Sequence, residues 1–149
     1  MIYIAHRGLI NGPDKTKENH PSQIKEALSK GYDAEIDVWF KEGDWYLGHD
    51  GPTYKIEFEF LENEGLWIHA KNLSALYVLS GTYLNYFWHQ EDDFTLTSHK
   101  YIWTYPGKQL TKDSICVMPE WNYDILNFNL ECYGVCSDFV ELMSKNPTI

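Results

Sequence analysis

The chain predicts an α/β protein built on a parallel sheet, and three observations carry that expectation. Short apolar runs alternate with helix-period segments over the first ~90 residues, the pattern of right-handed β-α-β crossovers. Several of the runs end in polar residues that carry chemistry: His6-Arg7-Gly8, Glu35-Ile36-Asp37-Val38 and His49-Asp50. The chain has 149 residues, 44% of them hydrophobic, enough for one domain over residues 1–149 with a real core. A full eight-fold β/α barrel usually takes about 250 residues, so this length closes a barrel only by shedding helices in its second half. An open α/β sheet fits the length more comfortably, and periodicity does not separate the two.

Ile2 to Ala5 reads as a buried first strand closed by His6-Arg7-Gly8. Leu9 to Glu18, rich in Asn, Gly, Pro, Asp and Lys, is a loop. Pro21 suits a first helical turn, Ile24, Ala27 and Leu28 repeat at helical spacing, and Lys30-Gly31 gives the stop signal. Ala34 to Phe40 and Trp45 to Gly48 flank Gly43-Asp44 and resemble a hairpin running into His49-Asp50. Leu66 to Ala70 is a further strand. Leu73 to Leu84 reads as a helix with Leu73, Leu76, Tyr77 and Leu84 on one side, and Tyr86 to Trp88 as the next strand. Beyond it, Phe94 to Leu96 and Tyr101 to Thr104 bracket Ser98-His99-Lys100 as a second hairpin. Ile115 to Met118 and Val135 to Ser137 read as late strands, and Asp124 to Asn129 as a short helical turn.

Composition bounds the partners. Twelve Lys and Arg against 22 Asp and Glu leave a net charge of −10, the wrong sign for tracking a nucleic-acid polymer. A small phosphorylated substrate stays compatible with this charge if a metal and a few cations act locally. Cys116, Cys132 and Cys136 are odd in number and lack a second Cys/His pair for a structural zinc site, so they read as reduced thiols. No apolar run approaches the roughly 20 residues that span a bilayer. Ile2 enters a strand at once and leaves no room for a signal peptide, so the expectation is a cytoplasmic protein without membrane insertion.

Glu35 and Asp37 are two apart on a strand and therefore share a face, while Ala34, Ile36 and Val38 suit the opposite, helix-covered face. Two carboxylates pointing together repel unless a cation or proton sits between them, and hard oxygen ligands at this spacing suit Mg²⁺ or Ca²⁺. The structural alternative is the solvated half of an edge strand. His6 and His49 stand at strand ends and offer proton shuttles near neutral pH. Taken singly, either histidine is more often structural than catalytic. Arg7 offers a fork for a phosphate oxygen, with a surface salt bridge as its bland alternative. His69 and Lys71 repeat the two-residue spacing on a third strand, where a lysine can neutralise a phosphoryl oxygen.

Taken together, His6-Arg7-Gly8, Glu18-Asn19, Ala27 with Gly31, Glu35-x-Asp37-Val38, His49-Asp50 and Lys71 resemble the pattern of the glycerophosphodiester phosphodiesterase family. A weaker echo lies at Gly134-Val135-Cys136-Ser137-Asp138, and the resemblance is dense only over the first ~72 residues. It implies a TIM-type β/α barrel, here reduced, with helices shortened or missing in the second half. The implied activity is metal-dependent hydrolysis of a small phosphodiester. His6 and His49 would be the acid/base pair, Glu35 and Asp37 the metal ligands with Glu18 nearby, and Arg7 and Lys71 the phosphate contacts. The family usually places a carboxylate two residues before the lysine, where this chain has His69. The resemblance implies Mg²⁺ or Ca²⁺, and His69 in the ligand position leaves open Mn²⁺ or Zn²⁺, a more weakly held Mg²⁺, or no ion. The chain also lacks the family's usual insertion after His49-Asp50 and much of its second half, which shape the leaving-group pocket. Trp88, Trp103, Tyr105 and Tyr54 are candidates for lining a tighter one. The alternative is a barrel that binds a phosphorylated sugar or lipid headgroup without turning it over.

Overall fold

The computed structural model describes residues 1–146. In chain order its strands are β1 (Ile2–Ala5), β2 (Asp33–Lys41), β3 (Asp44–Leu47), β4 (Tyr54–Ile56), β5 (Leu66–Ala70), β6 (Tyr86–Phe87), β7 (Phe94–Leu96), β8 (Ile102–Thr104), β9 (Ser114–Val117) and β10 (Gly134–Ser137). The helices are α1 (Pro21–Ser29), α2 (Phe58–Leu61), α3 (Leu73–Leu79) and α4 (Val140–Lys145). All ten strands belong to one mixed sheet. A parallel run in the order β6-β5-β2-β1-β10-β9-β8 forms its body. β7 adds antiparallel to β8, and the β3-β4 hairpin extends antiparallel from the far half of β2.

The reduced TIM-type barrel expected from the sequence is not what forms. The sheet is a curled, mixed half-barrel with few, short helices. A TIM barrel needs a helix after each strand. Here α1 has nine residues, α3 seven, α4 six and α2 four, and no α-helix separates β6 from β10. Between those strands the chain uses a hairpin, loops and 3-10 turns at Pro119–Trp121 and Ile125–Asn127.

Local signals explain most elements. The His20 side chain accepts from the Ser22 N–H and Pro21 opens α1, so the first turn is capped. Asn72 caps α3 by accepting from Ala75 N–H. That helix buries Ala75 and Leu79 while Leu73 and Tyr77 are each 77% exposed, so the expected face of Leu73, Leu76, Tyr77 and Leu84 is rotated. The helix also stops at Leu79, short of the expected Leu84. Strand alternation holds better: Ala34, Ile36 and Val38 of β2 pack with Ile24, Ala27, Ala75 and Leu79 on the helix side.

Inside the curl lies a second cluster of Ile4, Trp67, Phe87, Trp103, Ile115 and Cys136. The Phe87 and Trp103 ring centroids are 4.5 Å apart, and those of Trp67 and Trp103 6.0 Å. Large rings thus fill a trough that helices and further strands would otherwise close. On the outer face of the helix-poor half, Phe128 and Met143 cover Cys116 and Val135. Among the described residues no helix is long and apolar enough to cross a membrane.

Because Trp103 touches rings from two other strands, Trp103→Ala is expected to cost about 3–5 kcal/mol of stability, the range for removing a buried large aromatic. Urea unfolding followed by circular dichroism checks this. A loss under about 1 kcal/mol would mean that the trough is not close-packed.

Candidate functional site

β2 and β5 lie side by side with Glu35 opposite Trp67 and Asp37 opposite His69. The register therefore puts the carboxylate pair and one imidazole on the inner face, above the aromatic floor. Glu35 and Asp37 are almost wholly buried. One ligand atom from each of Glu35, Asp37 and His69 lies within 4.8 Å of the others.

Each buried carboxylate is compensated by name. Asp37 Oδ2 accepts from Asn19 Nδ2 at 2.9 Å and lies 3.5 Å from Arg7 Nε, while the Asp37 N–H donates to Asn19 Oδ1 at 3.0 Å. Asp37 Oδ1 lies 3.2 Å from His69 Nδ1. Glu35 Oε2 accepts from the Arg7 backbone N–H at 3.1 Å, and Glu35 Oε1 is 3.8 Å from His69 Nδ1. Burial and then the Asp37 charge push the Glu35 carboxyl up to about 7, against the pull of His6, His69 and Arg7. Burial alone would also raise Asp37, but the His69 contact, the Asn19 hydrogen bond and Arg7 outweigh it and hold this carboxyl well below the usual range. The pair is thus split, with Asp37 ionised first.

His69 fits a metal for a specific reason. Its Nε2 is 2.8 Å from the carbonyl oxygen of His89, which can only accept, so Nε2 carries the hydrogen. With no second hydrogen, the imidazole would turn a bare Nδ1 lone pair toward two carboxylates. Only a shared proton or a cation makes that arrangement favourable, and a backbone carbonyl on the far nitrogen is the usual orienting partner of a metal-bound histidine.

His6 follows β1, and its Nδ1 is 2.8 Å from Asp138 Oδ1, just beyond β10; its Nε2 lies 4.0 Å from Glu35 Oε2. Burial pushes the imidazole down, but the Asp138 hydrogen bond and the Glu35 charge outweigh it and raise it above 6.5. Asp138 is held in turn by Glu120, whose Oε1 accepts from the Asp138 N–H at 3.0 Å and whose Oε2 accepts from Ser137 Oγ at 2.9 Å. His49 Nδ1 is 2.7 Å from Asp50 Oδ1 at the half-exposed cleft mouth. It follows Gly48, where a Cβ would collide with the Gly51 carbonyl oxygen, so only glycine fits that turn.

A cleft of about 450 Å³ collects these groups at the C-terminal ends of the parallel strands. His6, Arg7, Glu18, Glu35, Asp37, His49 and His69 all line it, and Trp103 contributes to its wall. Lys71 and Trp88 do not line it, and neither does Tyr54; Lys15, from the loop after β1, does. Glu18 lies outside the three-residue ligand cluster and accepts from Arg7 Nη1 at 2.9 Å. Arg7 is therefore committed to two carboxylates rather than free as a fork. Three of the five non-glycine residues with positive φ among the described residues, Arg7 (53°), Asn19 (59°) and Met118 (48°), stand at this site. Such conformations cost of order 1–3 kcal/mol each and collect at functional sites.

Sequence reasoning did not assign Asn19, Asp138, Glu120 or Lys15. Asn19 and Asp138 were within reach, since both belong to the quoted motifs. The His89 carbonyl is a backbone group that no residue pattern reveals. Comparison with protein-family models, curated proteins and solved structures gives no match.

Loss of the His6 partner has a signed pH dependence. A group raised on folding contributes its full stabilisation below about 6.5 and loses it as pH rises through its folded value. Asp138→Asn is therefore expected to cost about 1.5–3 kcal/mol near pH 5.5 and clearly less near pH 9. Urea midpoints at the two pH values, with the His6 imidazole titration followed by NMR, test it. A loss that grows with pH would contradict a charge-assisted His6-Asp138 bond.

Proposed function

We propose that this chain is a metal-dependent phosphoric diester hydrolase acting on a small phosphodiester, with chemistry of the glycerophosphodiester phosphodiesterase kind. The observation that carries the reading is the His6 imidazole, anchored by Asp138 through one nitrogen and facing the Glu35-Asp37-His69 cluster with the other, inside one cleft.

Glu35, Asp37 and His69 would hold the ion. Two carboxylates and one imidazole suit Mn²⁺ or Zn²⁺ at least as well as Mg²⁺ or Ca²⁺. A bound divalent ion supplies charge stabilisation at the phosphoryl oxygens and makes an attacking hydroxyl more acidic. The rest falls to the chain. His6 and His49 each commit Nδ1 to a carboxylate, so Nε2 is the nitrogen each offers to a substrate. One takes the proton of the attacking hydroxyl as the oxygen-phosphorus bond forms; the other gives a proton to the departing ester oxygen. Lys15 and the remaining guanidinium hydrogens of Arg7 are the cationic groups of the cleft available to the phosphate. Asn19 and Arg7 keep Asp37 ionised and fixed, so its position does not depend on substrate.

Assays with bis-p-nitrophenyl phosphate and glycerophosphodiesters in Mg²⁺, Mn²⁺, Ca²⁺ or Zn²⁺ test the reading. His6→Ala and His49→Ala are each expected to lower kcat about 10²–10⁴-fold, the usual worth of general acid-base catalysis. His69→Ala is expected to raise the half-saturating metal concentration at least about tenfold, since even the outer partners of metal ligands are worth about 10–100-fold. Turnover untouched by both His6→Ala and His49→Ala would sink the proton-transfer roles. The commitment of Arg7 to Glu18 and Asp37 favours a second reading, a site that binds a phosphorylated sugar or lipid headgroup without turnover. Saturable phosphate-ester binding with no hydrolysis under any of the four metals would select it.

A further inference from the structure

The cleft has two chemically different sides. The ionisable groups come mainly from β1, β2, β5, the end of β10 and the loops after β1 and β3, whereas the segments at and beyond the ends of β8 and β9 contribute Trp103, Tyr105, Val117, Met118 and Trp121. Trp121 is 65% exposed and Tyr105 38% exposed, although both line the cleft. An indole left largely in water forfeits the burial that most tryptophans obtain, and here it does so at the mouth of a polar site.

Trp121 is also not on a loose loop. It closes the 3-10 turn Pro119–Trp121, entered through Met118 in a left-handed conformation at φ 48° and ψ 55°. The Met118 N–H donates to the Cys136 carbonyl at 2.7 Å, and the Trp121 N–H to the Met118 carbonyl at 3.0 Å. Glu120, between Pro119 and Trp121, clamps the Ser137 hydroxyl and the Asp138 backbone. The turn that fixes the partner of His6 therefore also fixes the Trp121 backbone. Tyr105 is placed from the other direction, its ring 6.1 Å from that of His89, whose carbonyl orients His69. The Trp121 backbone and the Tyr105 ring are each tied through one residue to a group of the proposed chemistry.

Resting on the phosphodiesterase reading of the same cleft, we infer that the substrate carries a planar aromatic ring on one ester oxygen, seated against Trp121 and Tyr105, rather than two open-chain alcohols. A flat ring restores to the indole the contact it lacks and asks for no further charged partner. Offset or edge-to-face ring contacts add specificity beyond buried area. Among the described residues the apolar side carries no basic residue that would recognise a second phosphate; the lysine that lines the cleft, Lys15, comes from the loop after β1.

The test separates ring recognition from turnover. With Mn²⁺ present, binding of phenyl phosphate, cyclohexyl phosphate and ethyl phosphate is measured by calorimetry on the full chain and on Trp121→Ala, Trp121→Phe and Tyr105→Leu. The wild type is expected to bind phenyl phosphate roughly tenfold more tightly than ethyl phosphate, as one ring contact of about a kcal/mol or more allows. Trp121→Ala should erase that preference and leave ethyl phosphate unchanged, while Trp121→Phe keeps part of it. Trp121 is exposed, so its loss should not unfold the chain, and unchanged ethyl phosphate binding reports an intact site. A ring preference that survives Trp121→Ala, equal affinity for all three esters, or no binding of any of them overturns the inference. Cyclohexyl phosphate matching phenyl phosphate overturns planarity in favour of bulk. Ring preference without hydrolysis removes the catalytic reading and keeps this one; hydrolysis of diesters without ring preference does the reverse.

Discussion

Two carboxylates buried side by side on β2 are the constraint to which the site answers. Glu35 and Asp37 are 2% and 1% exposed, and an isolated buried charge of this kind is too costly to persist. The chain meets that cost with four groups brought from elsewhere. Arg7 and Asn19 come from opposite ends of the loop between β1 and α1, both in left-handed conformations that aim polar groups at β2. His69 comes from the neighbouring strand by register, and His6 approaches Glu35 from the end of β1. Removing any one would leave a carboxylate under-compensated. The strained backbone at Arg7 and Asn19 is intelligible as the geometric cost of this compensation.

Compensation also divides labour. Asn19 and Arg7 both bond Asp37, so that carboxylate stays ionised. Glu35 receives a single backbone N–H and faces two imidazoles, so its charge is the adjustable one. Between them, His69 Nδ1 is shared by both acids. Because the His89 carbonyl holds the other nitrogen, His69 cannot escape by changing tautomer. The cluster accepts a proton or a metal ion at the same place, and the two compete. That competition follows from geometry alone, whatever ester the cleft receives.

Much of this was legible in the sequence, for a physical reason. Period-two spacing fixed the common face of Glu35 and Asp37 and the opposite face of Ala34, Ile36 and Val38; β1, β5 and β7 also span the same residues as the strand runs read from the sequence. The barrel was not legible. It rested on a resemblance confined to the first half, while β6 to β10 follow one another through hairpins and 3-10 turns that carry weak periodic signals. Three short elements, β4, α2 and α4, escaped notice because three to six residues hold too little pattern. Lys71 stands outside the cleft lining for a different cause. Its spacing from His69 suggested a shared inward face, yet Lys71 lies one residue past the end of β5, where strand alternation no longer governs direction. Asp138 was missed as a site residue because its meaning depends on β10 lying beside β1, a pairing across more than a hundred residues.

The departure from a helix-clad barrel and the retention of a crowded site are connected. Almost all the charged chemistry arises on the contiguous strands β5-β2-β1-β10 and the loops at their ends. Three of those strands are backed by helices: α1 and α3 pack on β2, α3 also on β5, and α4 on β1. Positioning within fractions of an ångström needs a rigid support, and this half has it. The strands β8 and β9 supply mainly apolar wall, whose demands on position are looser, and there the outer cover thins to Phe128, Met143 and loop. Interior rings replace the missing architecture: Phe87 and Trp103 meet across the trough at 4.5 Å where a regular barrel would meet through strand pairing. A half-barrel is thus sufficient for this site, because the groups that must be exact in position stand on the half that kept its helices.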